Sequence, residues 1–177
     1  MRLGFRQKQN SHKLLAAVTM LVLASPAVWA SEGIAVLDFE LKDLTLLPNS
    51  PQERQRTASI APQLRQAIDL KKKYKLVAID PAAQKSADAA FGYLFDHPEE
   101  AARLGQQHGA DYIAVGRLHK PSFLFVYLLV HLVDVKTQRL AGDYVVEIKG
   151  DLEELTRRGV AHLADQIETT LNAKVPK

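Results

Sequence analysis

The stretch Phe123–Val135 (FLFVYLLVHLVDV) constrains the fold more than any other part of the chain. It is apolar on both alternating faces, with Phe123, Phe125 and Leu129 on one side and Leu124, Val126 and Leu128 on the other. Such a run suits a central strand covered on both faces, because an open face would leave a row of large side chains in water. It is too short, and too interrupted by His131, to be a membrane span of ~20 residues. The rest of the chain therefore has to supply strands on either side of it and helices above and below.

Those elements can be read from the sequence. Lys120-Pro121-Ser122 and Lys136-Thr137-Gln138 are turns, which make Asp111–His119 and Leu140–Lys149 its antiparallel neighbours. Leu140–Lys149 alternates, with Leu140, Gly142, Tyr144, Val146 and Ile148 inward and Asp143, Glu147 and Lys149 outward. Upstream, Gly33–Glu40 and Tyr74–Asp80 are short, nearly continuous apolar runs of the buried parallel kind. Between them, Ser50-Pro51-Gln52-Glu53 is a capping box with proline at the first helical position. The helix it opens runs to about Lys72, and Pro62 inside it predicts a kink or a split.

Pro81–Phe95 is alanine-rich and partly helical, broken at Gly92; Pro98 opens a further helix that Gly109 closes. Asp151 caps the last helix, with Leu152, Leu155, Leu163, Ile167 and Leu171 as its apolar stripe. The order β-α-β-α-β-β-β-α gives a single α/β domain with a mixed five-stranded sheet covered by helices: a parallel half through right-handed crossovers and an antiparallel meander.

Residues 1–30 read as a cleavable export signal. Arg2, Arg6, Lys8 and Lys13 precede an apolar run from Leu14 to Val28, and Val28-Trp29-Ala30 fits the signal-peptidase pocket, so cleavage after Ala30 is expected. The domain is then residues 31–177, in the periplasm or secreted, with no permanent membrane span. The signal holds basic residues and no acidic ones, out of 23 and 20 in the whole chain, so the mature chain is slightly acidic. That balance leaves no basic face for nucleic acid. Lys71-Lys72-Lys73 is the only run of like charge and reads as a solvated helix end. The chain has no cysteine, so disulfides, thiol chemistry and a lipidated amino terminus are excluded.

Ala35-Val36-Leu37-Asp38-Phe39 in the first strand, and Gly109-Ala110-Asp111-Tyr112-Ile113-Ala114-Val115-Gly116 leading into the third, resemble the N-terminal domain of TolB and the curli-secretion protein CsgG. Asp134–Arg139, Lys149-Gly150-Asp151 and Arg158-Gly159-Val160 look like a family of secreted bacterial proteins of unknown function. The resemblance covers most of residues 33–171. It implies an envelope scaffold or accessory component with no catalytic residues.

The residues themselves carry no phosphate-binding loop, nucleophile elbow or zinc-helix motif, so neither a cofactor nor a metal is expected. His97, His108, His119, His131 and His162 lack ligand spacing and read as surface or hydrogen-bonded core histidines. With a tight turn at Pro121, His131 would pair near Asp111 and His119 near Phe123.

One constellation stands out. Asp38 and Asp80 follow the carboxyl ends of parallel strands, and Arg117 lies near the same end of the third, the edge where open α/β sheets bind ligands. The competing reading is that each aspartate starts a turn and Arg117 neutralises one of them. Two apolar groups outside the strands complete the candidates for partner binding: Leu44, Leu46 and Leu47 in a loop, and Phe91, Tyr93 and Phe95 in the broken helical segment. Either group could instead fold onto the core. The functional expectation is an exported, non-catalytic envelope accessory protein that binds another protein. A periplasmic small-ligand binder using Asp38, Asp80 and Arg117 is the alternative, and a metal-dependent enzyme the third.

Overall fold

The computed structural model describes Met1, residues 31–149 and residues 153–174. The expected export signal and the Asp151 cap lie outside the described residues. The strands are β1 (Gly33–Val36), β2 (Glu40–Asp43), β3 (Lys75–Val77), β4 (Tyr112–Lys120), β5 (Phe125–Asp134) and β6 (Arg139–Lys149). The helices are α1 (Pro51–Leu70), α2 (Pro81–Ala87), α3 (Tyr93–Asp96), α4 (Pro98–Gln107) and α5 (Glu153–Lys174). One mixed sheet runs β3-β1-β4-β5-β6, with β3, β1 and β4 parallel and β4, β5 and β6 antiparallel. The α/β domain and its mixed sheet are as expected. The sheet has one more strand, β2, which also pairs parallel with β4.

That strand corrects the reading of Gly33–Glu40 as one element followed by a loop. Val36 pairs with Ala114 and Glu40 with Arg117, so Leu37, Asp38 and Phe39 stand opposite only Val115 and Gly116. The extra residue makes a bulge, and past it the chain rejoins β4 and pairs as far as Asp43–Lys120. Phe39 uses the room this creates, for a Cβ on Gly116 would collide with its ring.

The helices form two layers. On one face α1 and α5 cover Ile34, Val36, Leu118, Leu128, Val130, Leu132, Val146 and Ile148, all buried. On the other, α3 and α4 cover Ala35, Leu37, Ile113, Val115 and Val133. Each large side chain fully buried here contributes about 1.5–3 kcal/mol of transfer free energy.

Three further expectations need correction. Helix α1 is continuous through Pro62; the carbonyl that proline deprives of a donor belongs to Ala58, and both residues lie on the exposed side, where water serves. Strand β5 is not covered on both faces: Val126, Leu128, Val130 and Leu132 are buried, but Phe125 is 39% exposed and Tyr127, Leu129 and His131 are half-buried. Phe123 and Leu124 lie in the turn before the strand. Leu140 points outward, because the register shifts between Leu132 and Val133, whereas Tyr144, Val146 and Ile148 point inward as expected.

The three lysines after α1 are not simply solvated. Lys71 donates to Asp165 and Glu168, each at 2.7 Å, and Lys73 also reaches Glu168, which ties the end of α1 to α5. These two ammonium groups hold the Glu168 carboxyl down at about 2, from an ordinary 4.5. A depressed carboxylate stabilises the fold above its unfolded value and loses that effect as pH falls through its folded value. Urea midpoints measured against pH should therefore fall between pH 4.5 and about 2, and Glu168→Gln should flatten that slope. A second prediction concerns the bulge. Gly116→Val should cost about 1–3 kcal/mol by overpacking, and adding Phe39→Ala should relieve part of it, so chemical denaturation of the double variant should show less than the sum of the single losses.

Candidate functional site

The carboxyl end of the parallel strands is where the candidate residues gather, and the structure gives each a distinct set of partners. Asp38 sits in the bulge. Its backbone N–H donates to the Gln84 side chain at 2.9 Å, its carbonyl accepts from the same amide at 3.0 Å, and its carboxylate accepts from Arg65 at 3.0 Å. Arg65 also donates to the Val36 carbonyl, so this group fastens α1 and α2 to the end of β1. Asp80 caps α2, accepting from the Ala82 N–H at 2.7 Å.

Arg117 is engaged elsewhere. It donates to Glu40 at 3.0 and 3.2 Å, with the guanidinium 4.4 Å from the Phe95 ring centroid and 5.2 Å from that of Phe91. The second oxygen of Glu40 accepts from the Gly92 N–H. Gly92 has φ +82°, and a Cβ there would strike Arg117, so only glycine fits this corner. The cluster clamps the α2–α3 connection onto the sheet. Asp38, Asp80 and Arg117 thus share an end of the sheet, and no hydrogen bond joins them among the described residues. The partner of Arg117 was hidden because Glu40 reaches it only through β2.

The histidines are also placed differently. The turn after Pro121 is longer than assumed, so His131 pairs with Val115 and His119 with Tyr127. His131 stacks on Phe95 with centroids 3.9 Å apart and contacts the Phe95 carbonyl at 2.9 Å. Burial, then the charge of Lys42, lowers the His119 pKa. No group of three or more metal-ligating side chains occurs among the described residues.

The apolar candidates separate. Phe95 is buried and Tyr93 half-buried against His97, while Phe91 is 60% exposed above Arg117. Leu44, Leu46 and Leu47 are 60, 91 and 77% exposed, and beside them the β4–β5 turn exposes Phe123 and Leu124 at 60 and 71%. The Leu44 N–H donates to the Lys120 carbonyl at 2.9 Å, which joins the two loops at their base. Asp43 shapes the first loop, accepting from the Thr45 N–H and hydroxyl and from the Asn49 N–H.

Beneath both loops lies a buried ion pair. Lys120 donates to Glu53 at 2.6 Å, and its ammonium lies 5.6 Å from the Phe123 ring centroid. Arg56 donates to the buried Thr156 at 2.8 Å and stands 3.7 Å from Glu53. Glu53 was read as half of a capping box. Ser50 does accept from the Glu53 N–H, but the carboxylate is spent on Lys120 instead. Phe123 and Leu124 were missed because they read as strand; the turn signal after Lys120, extended by two residues, would have found them.

Solved structures of low sequence identity superpose on this fold. A hypothetical protein, CT253 from Chlamydia trachomatis, superposes with a TM-score of 0.57 at 12% identity, over 82% of this chain and all of the other. TolB from Acinetobacter baumannii superposes with a TM-score of 0.54 at 14% identity, over 84% of this chain and 30% of TolB. LpoB from Escherichia coli gives 0.47 at 13% identity, over 83% and 80% of the two chains. The class is thus a TolB-like α/β fold. No curated protein sequence matches the chain. Residues 32–167 match the model of DUF3280, described as "Protein of unknown function (DUF2380)", and the chain belongs to that family.

The Arg117 clamp has a measurable weight. Arg117→Ala leaves the Glu40 carboxylate without its cation and should cost about 3 kcal/mol in urea unfolding. The pair of changes Glu40→Leu with Arg117→Met, which leaves no orphaned charge, should cost distinctly less.

Proposed function

We propose that this protein is an exported, non-catalytic accessory or scaffold protein of the bacterial envelope that binds another protein through the apolar end of its sheet. The observation that carries the reading is the pair of adjacent loops presenting Leu44, Leu46, Leu47, Phe123 and Leu124 to solvent. Exposed apolar groups gathered in one place on a folded domain mark contact surfaces. Here they are held in position by the Leu44–Lys120 hydrogen bond and by the ion pair under it. The basic and apolar residues before Ser31 support export, and the TolB-like fold supports an envelope setting. Among the described residues no helix is long and apolar enough to cross a membrane.

Site-specific photocrosslinking in intact cells tests this. A photoreactive residue at position 46 or 124 should give a discrete protein adduct, and one at Lys136, at the opposite end of the sheet, should not. Leu46→Asp with Leu124→Asp should weaken the captured complex about tenfold or more, with the folding free energy unchanged to within about 0.5 kcal/mol. Adducts only with lipid, or equal adducts at all three positions, would overturn the proposal.

A further inference from the structure

The two edges of the sheet are unequal. Strand β3 is three residues long and Pro81 follows it closely, so it offers almost no ladder to a newcomer. Strand β6 is eleven residues long, and no described strand pairs with its outer edge. It has no proline, and its one register shift lies at the Leu140 end, which leaves Asp143–Lys149 regular. An edge of this kind is a template for another strand.

Alongside it, a groove of about 490 Å³ opens between β6 and α5, lined by Val146, Ile148, Leu155, Gly159 and His162. A second groove of about 360 Å³ continues it past Tyr144, His162 and Gln166. There is room beside α5 for the side chains of an added strand.

The charges on β6 say which strand. We propose that a second copy of this chain adds there, β6 against β6 in antiparallel register, with Val146 on the twofold axis. In that register Asp143 faces the other copy's Lys149 twice, Val145 faces Glu147, and on the core side Tyr144 meets Ile148 and Val146 meets itself. A shift of one residue in the axis toward the amino end sets Asp143 against Glu147. A shift toward the carboxyl end sets Glu147 against itself. Opposed like charges in a ladder destabilise it, and opposite charges stabilise it. A one-residue axis shift is also the smallest allowed, since a twofold normal to the sheet keeps each residue on its own face.

Both partners of the pair are free to engage. Asp143 is 63% exposed with His131 at 3.5 Å, and Lys149 is 77% exposed with Glu147 at 3.8 Å. Val145, 61% exposed, gains cover from the opposing strand. The carboxyl end of this edge comes close to those loops, Lys149 pairing with Phe125, but the dimer contact runs along the outer side of β6, so neither reading depends on the other.

Sedimentation velocity of the full chain, exported and purified from the periplasm, tests the proposal over the micromolar range. A reversible dimer is expected. Asp143→Lys alone and Lys149→Glu alone should each raise its dissociation constant about tenfold, since both symmetric pairs turn repulsive. The double variant Asp143→Lys/Lys149→Glu should restore it. Circular dichroism of these exposed substitutions should show an unchanged fold. A monomer at every concentration, a dimer indifferent to the single changes, or a double variant that fails to recover would overturn the proposal; a strand from another protein occupying this edge would appear as the first of these.

Discussion

One unpaired residue between Val36 and Glu40 governs the carboxyl end of the molecule. Without it β1 would run straight into β2, and each side chain from Glu40 onward would fall on the opposite face. With it, Glu40 lies against Arg117, Phe39 lies over Gly116, and Asp43 reaches Lys120. The Arg117 clamp, the anchoring of α3 and the base of the exposed leucine loop all follow from that register. The bulge is therefore a positioning device more than an irregularity of pairing.

The two faces of the sheet are held by different means. Under α1 and α5 the contacts are aliphatic and continuous, from Ile34 through Ile148 to Leu171. On the other face α3 and α4 cover β1, the first half of β4 and Val133 of β5, and beyond Val115 apolar packing gives way to Arg117 against the Phe91 and Phe95 rings. A guanidinium satisfied by a carboxylate and stacked on rings can close a layer where aliphatic side chains run out. The same economy recurs at Lys120–Glu53, where burial is tolerable because each charge has the other at hydrogen-bond distance.

Much of this was legible in the sequence, for definite reasons. Helix starts were marked by Ser50-Pro51 and by Pro98, since capping and proline at the first turn are local chemistry, whereas Asp80 read as the end of a strand and turned out to cap α2. Strands β1, β4 and β6 announced themselves by continuous or alternating apolar residues. Strand β2 did not, because ELKD is short and polar and becomes a strand only by lying against β4. The turn after Lys120 was misjudged for a related reason: Phe123 and Leu124 have strand-like side chains, and only the register of β4 with β5 excludes them. Of the candidate site, the exposed leucines could be read from one segment. Their union with Phe123 and Leu124, and the diversion of Arg117 to Glu40, depend on contacts between residues distant in sequence.

The topology also bears on when the sheet can exist at all. Strands β4, β5 and β6 are joined by short connections, so their pairing closes small loops and is entropically cheap. Strands β1 and β2 lie at the start of the domain, yet both lean on β4, which ends at Lys120. A chain emerging amino terminus first can offer β1 nothing but the three residues of β3 until most of its length has appeared. The segment carrying the leucine loop therefore has no strand to pair with on its β4 side until β4 itself is present.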